Sequence, residues 1–212
     1  VDSLGLGGLE EVVALLAQSL PSVGVDAVVA CVRDGGAVAR RLTEAGVDVT
    51  HFHGRIGAVA GWVSERGIVA ANSHFAPVDS VQALLDAGVP VVETVQNCYA
   101  WLDDEGWGLE RRRADAAAGV IAVSETVAAY YEARTGRSAD WTIPNAVHPA
   151  RAAASPRGFA RAALGLDPDV PVLAFVGRIT EQKNPAGLLE AFALAVEEIP
   201  DAVLVLAGPA DG

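Results

Sequence analysis

Six apolar runs separated by helix-length intervals constrain this chain more than anything else in it. They are Val25 to Val32, Val47 to Phe52, Ile68 to Ala71, Pro90 to Val95, Gly119 to Val123 and Trp141 to Ile143. Strand-helix alternation of this kind lays strands parallel, with helices on both faces of the sheet. A seventh run, Val172 to Val176, lacks polar alternation and predicts a strand buried on both faces. Ala202 to Ala207 predicts another buried strand, and between the two Pro185 opens an apolar-periodic helix expected from about Ala186 to Ile199. Amphipathic segments at Leu9 to Leu20 and Phe159 to Leu164 predict further helices. With 212 residues, 51% hydrophobic and 20% charged, the chain can form one large or two small packed domains and is too apolar for disorder.

From Pro149 to Pro156 the composition turns to Ala, Arg, Ser and Pro, which is linker-like. The expected organisation is therefore a Rossmann-like, doubly wound parallel sheet domain over residues 1–148. Residues 149–212 supply a linker and the first strand-helix-strand unit of a second Rossmann-like domain. One such unit cannot bury both faces of a sheet, so it is expected to pack on the first domain, on another chain or on residues outside this sequence.

The net charge of -12 argues against a nucleic-acid partner or adhesion to anionic lipid. Arg111, Arg112 and Arg113 form the one basic run, expected to be a solvated helix face. Cys31 and Cys98 lie far apart with no metal spacing, which indicates neither disulfide nor zinc and suits a cytoplasmic location. No apolar run approaches the roughly 18 residues that span a bilayer. No signal peptide opens the chain, although the lack of a starting Met leaves a trimmed amino end open.

The candidate ligand site follows from the seventh run. Gly177 ends that strand, and Arg178 and Lys183 stand in a short polar loop before the helix. Two cations and a helix N-terminus past the carboxyl end of a strand suit an anion. At the amino end, Gly5-x-Gly7-x-x meets Glu10 where a dinucleotide fingerprint needs Gly, so that motif fails. Gly7 and Gly8 still allow backbone N–H groups close to an anion. Asn72, Ser73 and His74 are expected to follow a strand and face a cleft at the sheet's carboxyl edge, His74 being either a site residue or a plain surface histidine. His51 and His53 alternate on one strand without a third ligand and read as structural, and Ser124 reads as a helix N-cap. Asp167 and Asp169 form a D-x-D that precedes a strand, the wrong order for a nucleotide's metal, and read as a solvated turn.

The run VGRITEQKNPAGLLEAFALAVEEIPDAVLVLAGPADG resembles the opening of the donor-binding domain in family 4 glycosyltransferases of the GT-B fold. The resemblance implies that Arg178 and Lys183 grip the diphosphate of a nucleotide sugar, and that Gly177 and Gly208 lie in ligand-facing loops. Gly7 and Gly8 resemble the family's GG-E loop, with Glu10 near its acidic position; only a stub of the first strand precedes them, so the sequence is expected to begin inside that motif. The segment Glu93 to Trp101 resembles one in which a strand ends in Thr, an apolar residue and a His that reaches the donor sugar. Here Gln96 stands at the His position, and an amide can hydrogen-bond but cannot titrate. Asn97 and His74 fall on the acceptor side. Val123-Ser124-Glu125 resembles the family's V-S-E, and Ile143-Pro144-Asn145, one helix later, resembles its interdomain hinge, with Ala146 replacing its Gly, His148 its Asp, and Asn145 more structural than catalytic.

The resemblance implies transfer of a hexose with retained configuration, without metal or cofactor, from a nucleotide-diphosphate sugar to an acceptor that the sequence does not identify. Arg178, Lys183 and Gln96 are the implied catalytic set, and a homo-oligomer is compatible with it. The family's paired glutamates are expected beyond Gly212, so residues 1–212 alone are expected to lack activity. The departures at Gln96, Ala146 and His148 keep two alternatives open: a non-catalytic glycosyltransferase-like partner, and a sugar- or phosphate-binding domain.

Overall fold

Parallel pairing joins the strands of the computed structural model, which describes residues 1–148 and 156–209. The chain divides into two units, Val1–Pro149 and Ala150–Gly212.

In the first unit, β1 (Val29–Cys31) pairs with β2 (Val49–His51). The amino-terminal residues run beside β1. Val32 N–H donates to Val1 O at 3.0 Å, Arg33 N–H donates to Asp2 O at 2.8 Å, and Leu4 bridges Gly35 in parallel. A second sheet has the order β3 (Ala71–Ser73), β4 (Val91–Val95), β5 (Gly119–Ala122), β6 (Trp141–Thr142). The connections are α1 (Gly8–Ser19), α2 (Ala37–Glu44), α3 (Val59–Arg66), α4 (Val78–Asp86), α5 (Asp104–Ala116) and α6 (Glu125–Thr135). Local chemistry sets the helix ends: Asp103 Oδ1 accepts from Gly106 N–H at 2.8 Å, and Ser124 Oγ accepts from Val127 N–H at 3.2 Å. Leu4, Val13, Val38 and Leu42 fill one core cluster, and Val95, Tyr99, Trp107, Val120 and Tyr131 fill another.

Three expectations need correction here. Asn72 and Ser73 lie within β3 rather than after it, because the Asn72 amide donates to Thr94 Oγ1 of β4 at 2.9 Å and so satisfies a polar side chain inside the ladder. The first apolar run pairs only from Val29, whose N–H bonds Asp48 O at 2.9 Å, since its partner strand begins no earlier. His53 does not share a strand with His51: it lies beyond β2 in the left-handed region, with φ of 49°.

In the second unit, β7 (Val172–Val176) pairs with β8 (Val203–Ala207) over five residues, and the helix Pro185–Glu198 connects them. A short helix, Arg157–Ala163, precedes β7. Neither strand is buried as the sequence predicted. Val176 is 83% exposed, and no described residue of this unit is buried. The two strands and one long helix among its described residues supply too few layers to cover both faces of a sheet.

Candidate functional site

Parallel strands send their following loops out at one edge of a sheet, and in the first unit three such loops bring their polar side chains together. His74 directly follows β3, Gln96 directly follows β4, and Asn145 comes shortly after β6. Gln96 Nε2 lies 3.1 Å from His74 Nδ1, and Gln96 Oε1 accepts from Asn145 Nδ2 at 2.8 Å. His74 is buried, only 4% exposed, which rules out the surface-histidine reading. Burial lowers its pKa to about 4, so the ring is neutral at neutral pH. With the Gln96 amide donating, Nδ1 is the acceptor and Nε2–H remains a donor. Asn97 stays outside this chain of bonds; it is exposed, and its Oδ1 accepts from Cys98 N–H at 2.7 Å in a local turn.

The backbone that presents these groups is strained. Phe75 and Tyr99 hold φ of 53° and 47°, a region bulky residues rarely adopt and one that costs about 1–3 kcal/mol per residue. Their rings pack with centroids 4.5 Å apart, and Trp101 meets them edge-on at 6.4 and 5.6 Å. The Tyr99 hydroxyl accepts from Gln96 N–H at 3.2 Å, and burial pushes its pKa upward, so it stays protonated.

Beneath these loops lies a charge cluster that the sequence reading missed. Arg111 and Arg112 are exposed, but Arg113 is buried and is not part of a solvated face. Its Nη2 lies 3.0 Å from Glu93 Oε1 and its Nη1 lies 2.8 Å from Glu110 Oε1, with all three residues nearly inaccessible. Helical phase separates the three arginines: Arg113 shares a face with Glu110 and with buried Trp107 and Ala114, whereas its neighbours point away. Burial pushes Glu93 up to about 7 despite the pull of Arg113, and raises Glu110 also. The signal that could have found the cluster is a charged residue, Glu93, inside the Val-rich run of β4.

At the amino end, Gly7 is the N-cap of α1 and Gly8 its first residue. The Glu10 carboxylate folds back over Gly7, where an added Cβ would collide with it, so an acidic group already occupies that position.

In the second unit the loop after β7 is fixed at both ends. Gly177 N–H donates to Ala207 O at 2.9 Å and Ile179 N–H donates to Pro209 O at 2.8 Å. Gly208, with φ of 152°, sits so close that a Cβ there would collide with the Gly177 carbonyl. Farther along, Asn184 adopts φ of 50° and accepts from Gly187 N–H at 3.1 Å, capping the helix Pro185–Glu198. Between these anchors Arg178 and Lys183 are both exposed, and neither is in an ion pair with a described residue. Both cations therefore belong to one short loop on the carboxyl side of β7, available to solvent.

Other candidates resolve simply. His53 Nδ1 lies 2.9 Å from Asp34 Oδ1, and no group of three or more His, Cys, Asp or Glu among the described residues could hold a metal ion. Asp167 Oδ1 accepts from Asp169 N–H at 3.0 Å, a turn rather than a ligand pair.

The family model described as Glycosyltransferase Family 4 matches residues 6–151. The chain belongs to that family. A second model, Glycosyl transferases group 1, matches this family 4 chain over residues 156–212. Among curated relatives, a D-inositol 3-phosphate glycosyltransferase of Mycolicibacterium gilvum is 52% identical over 56 residues, which is 26% of this chain and 12% of the relative. One from Actinosynnema mirum is 44% identical over 72 residues, 32% of this chain and 17% of the relative. The matched stretches thus span less than a fifth of either relative's length.

Among solved structures, Anabaena Alr3699/HepE in complex with UDP has a TM-score of 0.78 at 21% identity, covering 97% of this chain and 58% of that one. Its complex with UDP and glucose gives 0.81 at 19% identity, covering 100% and 60%. UDP-N-acetylglucosamine 2-epimerase from Rickettsia bellii gives 0.56 at 14% identity over 96% and 60%. These likenesses are of fold, and they agree with the expected GT-B α/β class with parallel sheets.

Proposed function

We propose that this family 4 chain carries the acceptor-side domain, residues 1–148, and the start of the donor-binding domain, residues 149–212, of a metal-independent, retaining hexosyltransferase that uses a nucleotide-diphosphate sugar. The observation that carries this reading is the loop holding Arg178 and Lys183, exposed, outside any described ion pair and anchored on both sides. A guanidinium fork and an ammonium point charge together suit a diphosphate leaving group. Each would stabilise the charge that grows as the sugar departs, by about 2–4 kcal/mol. The UDP and glucose complexes of HepE support this donor class.

In this reading Gln96 contacts the donor sugar through hydrogen bonds and takes no part in proton transfer. His74 serves the acceptor side through its Nε2–H as a neutral donor. The same reading puts the protein in the cytoplasm; no helix among the described residues is long and apolar enough to cross a membrane.

UDP binding to the full-length protein, measured by titration calorimetry, tests the proposal. Arg178→Ala and Lys183→Ala are each expected to weaken it by about 10- to 100-fold, the loss of a charge-assisted contact. Unchanged affinity in both variants would overturn the assignment. Residues 1–212 alone are expected to show no turnover of nucleotide-sugar donors.

A second reading, a non-catalytic glycosyltransferase-like partner, is favoured by one observation. Both polar ends of the Gln96 amide are already engaged, by His74 and Asn145. Turnover by the full-length protein with a panel of nucleotide sugars separates the two.

A further inference from the structure

We infer that Arg113 is a positioning residue for the His74–Gln96 pair, holding the carboxyl ends of β3 and β4 in the left-handed turns that let the two side chains meet. Arg113 reaches both ends from below. Through Glu93, at 3.0 Å, it grips β4 shortly before Gln96. Its guanidinium carbon lies 5.8 Å from the ring centroid of Phe75, the residue that follows His74, within cation–π range. Glu110, at 2.8 Å and one helical turn away, fixes the guanidinium to α5.

The linkage then closes through the aromatic rings. Phe75 stacks on Tyr99 at 4.5 Å, and the Tyr99 hydroxyl accepts the Gln96 N–H at 3.2 Å. Phe75 and Tyr99 are the two residues held at positive φ in these loops. Backbone held in sparsely populated conformations persists only where its surroundings over-determine it. Here the surroundings are one buried cation, two buried carboxylates and a ring stack. Removing only the cation would strand both carboxylates in the core, so a control that discharges the whole cluster is required.

That this geometry matters for transfer rests on the reading of Gln96 as a sugar contact; the positioning itself does not. The decisive measurement is therefore the ring nitrogen NMR of His74 in the 212-residue chain, assigned by His74→Gln. In the unsubstituted protein the ring is expected as a single tautomer, Nε2–H with Nδ1 as acceptor. In the triple variant Glu93→Gln, Arg113→Met, Glu110→Gln, tautomers are expected to mix, with rings protonated at Nδ1 appearing beside the Nε2–H form. Phe75→Leu, which leaves all three charges in place, is expected to produce the same mixing. Arg113→Lys is expected to restore the single tautomer only partly, since an ammonium cannot fork to two carboxylates.

A single unchanged tautomer in the folded triple variant overturns the inference, and should that variant fail to fold, the same result in Phe75→Leu overturns it. In the full-length protein, Phe75→Leu is expected to lower kcat by about a hundredfold with KM for the donor changed less than about twofold, the signature of misplacement rather than lost binding. Tautomer mixing in a protein without any turnover would sink the transferase reading and leave the positioning role standing.

Discussion

The two units carry the same sequence signature, an apolar strand followed by a loop and a helix, and they end in opposite states. In the first unit Leu4, Leu42, Val95 and Val120 are 0% exposed. In the second, β7 and β8 pair in register over five residues, yet Leu173 is 40% and Leu206 39% exposed. Apolar runs are therefore enough to set strand identity and partner. Burial is a property of layers, and among the described residues the first unit has six α-helices against its sheets where the second has one long helix.

Hydrogen exchange should give the widest separation between the units. Amides of β4 are expected to exchange about 10³- to 10⁴-fold more slowly than those of β7 and β8, because protection follows local burial. Equal protection would erase the contrast. Core truncation comes next: Leu42→Ala should cost the first unit about 2–5 kcal/mol in urea unfolding, and Leu206→Ala less than about 1 kcal/mol.

The pH dependence of the first unit sharpens the comparison further. His74 titrates near 4 when folded, against 6.5 for the free side chain, so the unfolded chain binds more protons between those values. Stability should fall by about 3 kcal/mol as pH drops from 6.5 to 4, and His74→Asn should abolish that slope. Glu93 acts in the opposite direction. Its pKa is raised from 4.5 to about 7, so its contribution is fully present below 4.5 and is lost as pH climbs to 7, a slope Glu93→Gln should remove. A reversed sign in either variant would contradict the burial that shifts these groups. The smallest effect is local: Ser124→Ala removes the α6 cap and should cost about 1 kcal/mol.

Much of this was legible in the sequence, and the exceptions share a cause. The approximate strand positions, the parallel sheet class, the Ser124 cap and the placement of Arg178 and Lys183 after β7 all follow from local pattern. The His74–Gln96–Asn145 chain does not, because its members stand 22 and 49 residues apart and meet only through sheet register and loop conformation. Arg113 escaped because three identical residues look equivalent until the helix assigns each a direction. The carboxyl end of β3 escaped because Asn72 finds its partner on a neighbouring strand. In the second unit the error ran the other way: a wholly apolar run implied burial that two strands cannot supply by themselves.

The contact between Gly177 and Gly208 leaves no room for any side chain between the two backbones, and this ties their fates. A displacement of the Arg178 loop has to be matched at Gly208 and Pro209, whose backbone it touches directly. Engineering that transplants either loop must bring its mate, and libraries that randomise position 208 will lose most of their members before chemistry is ever sampled.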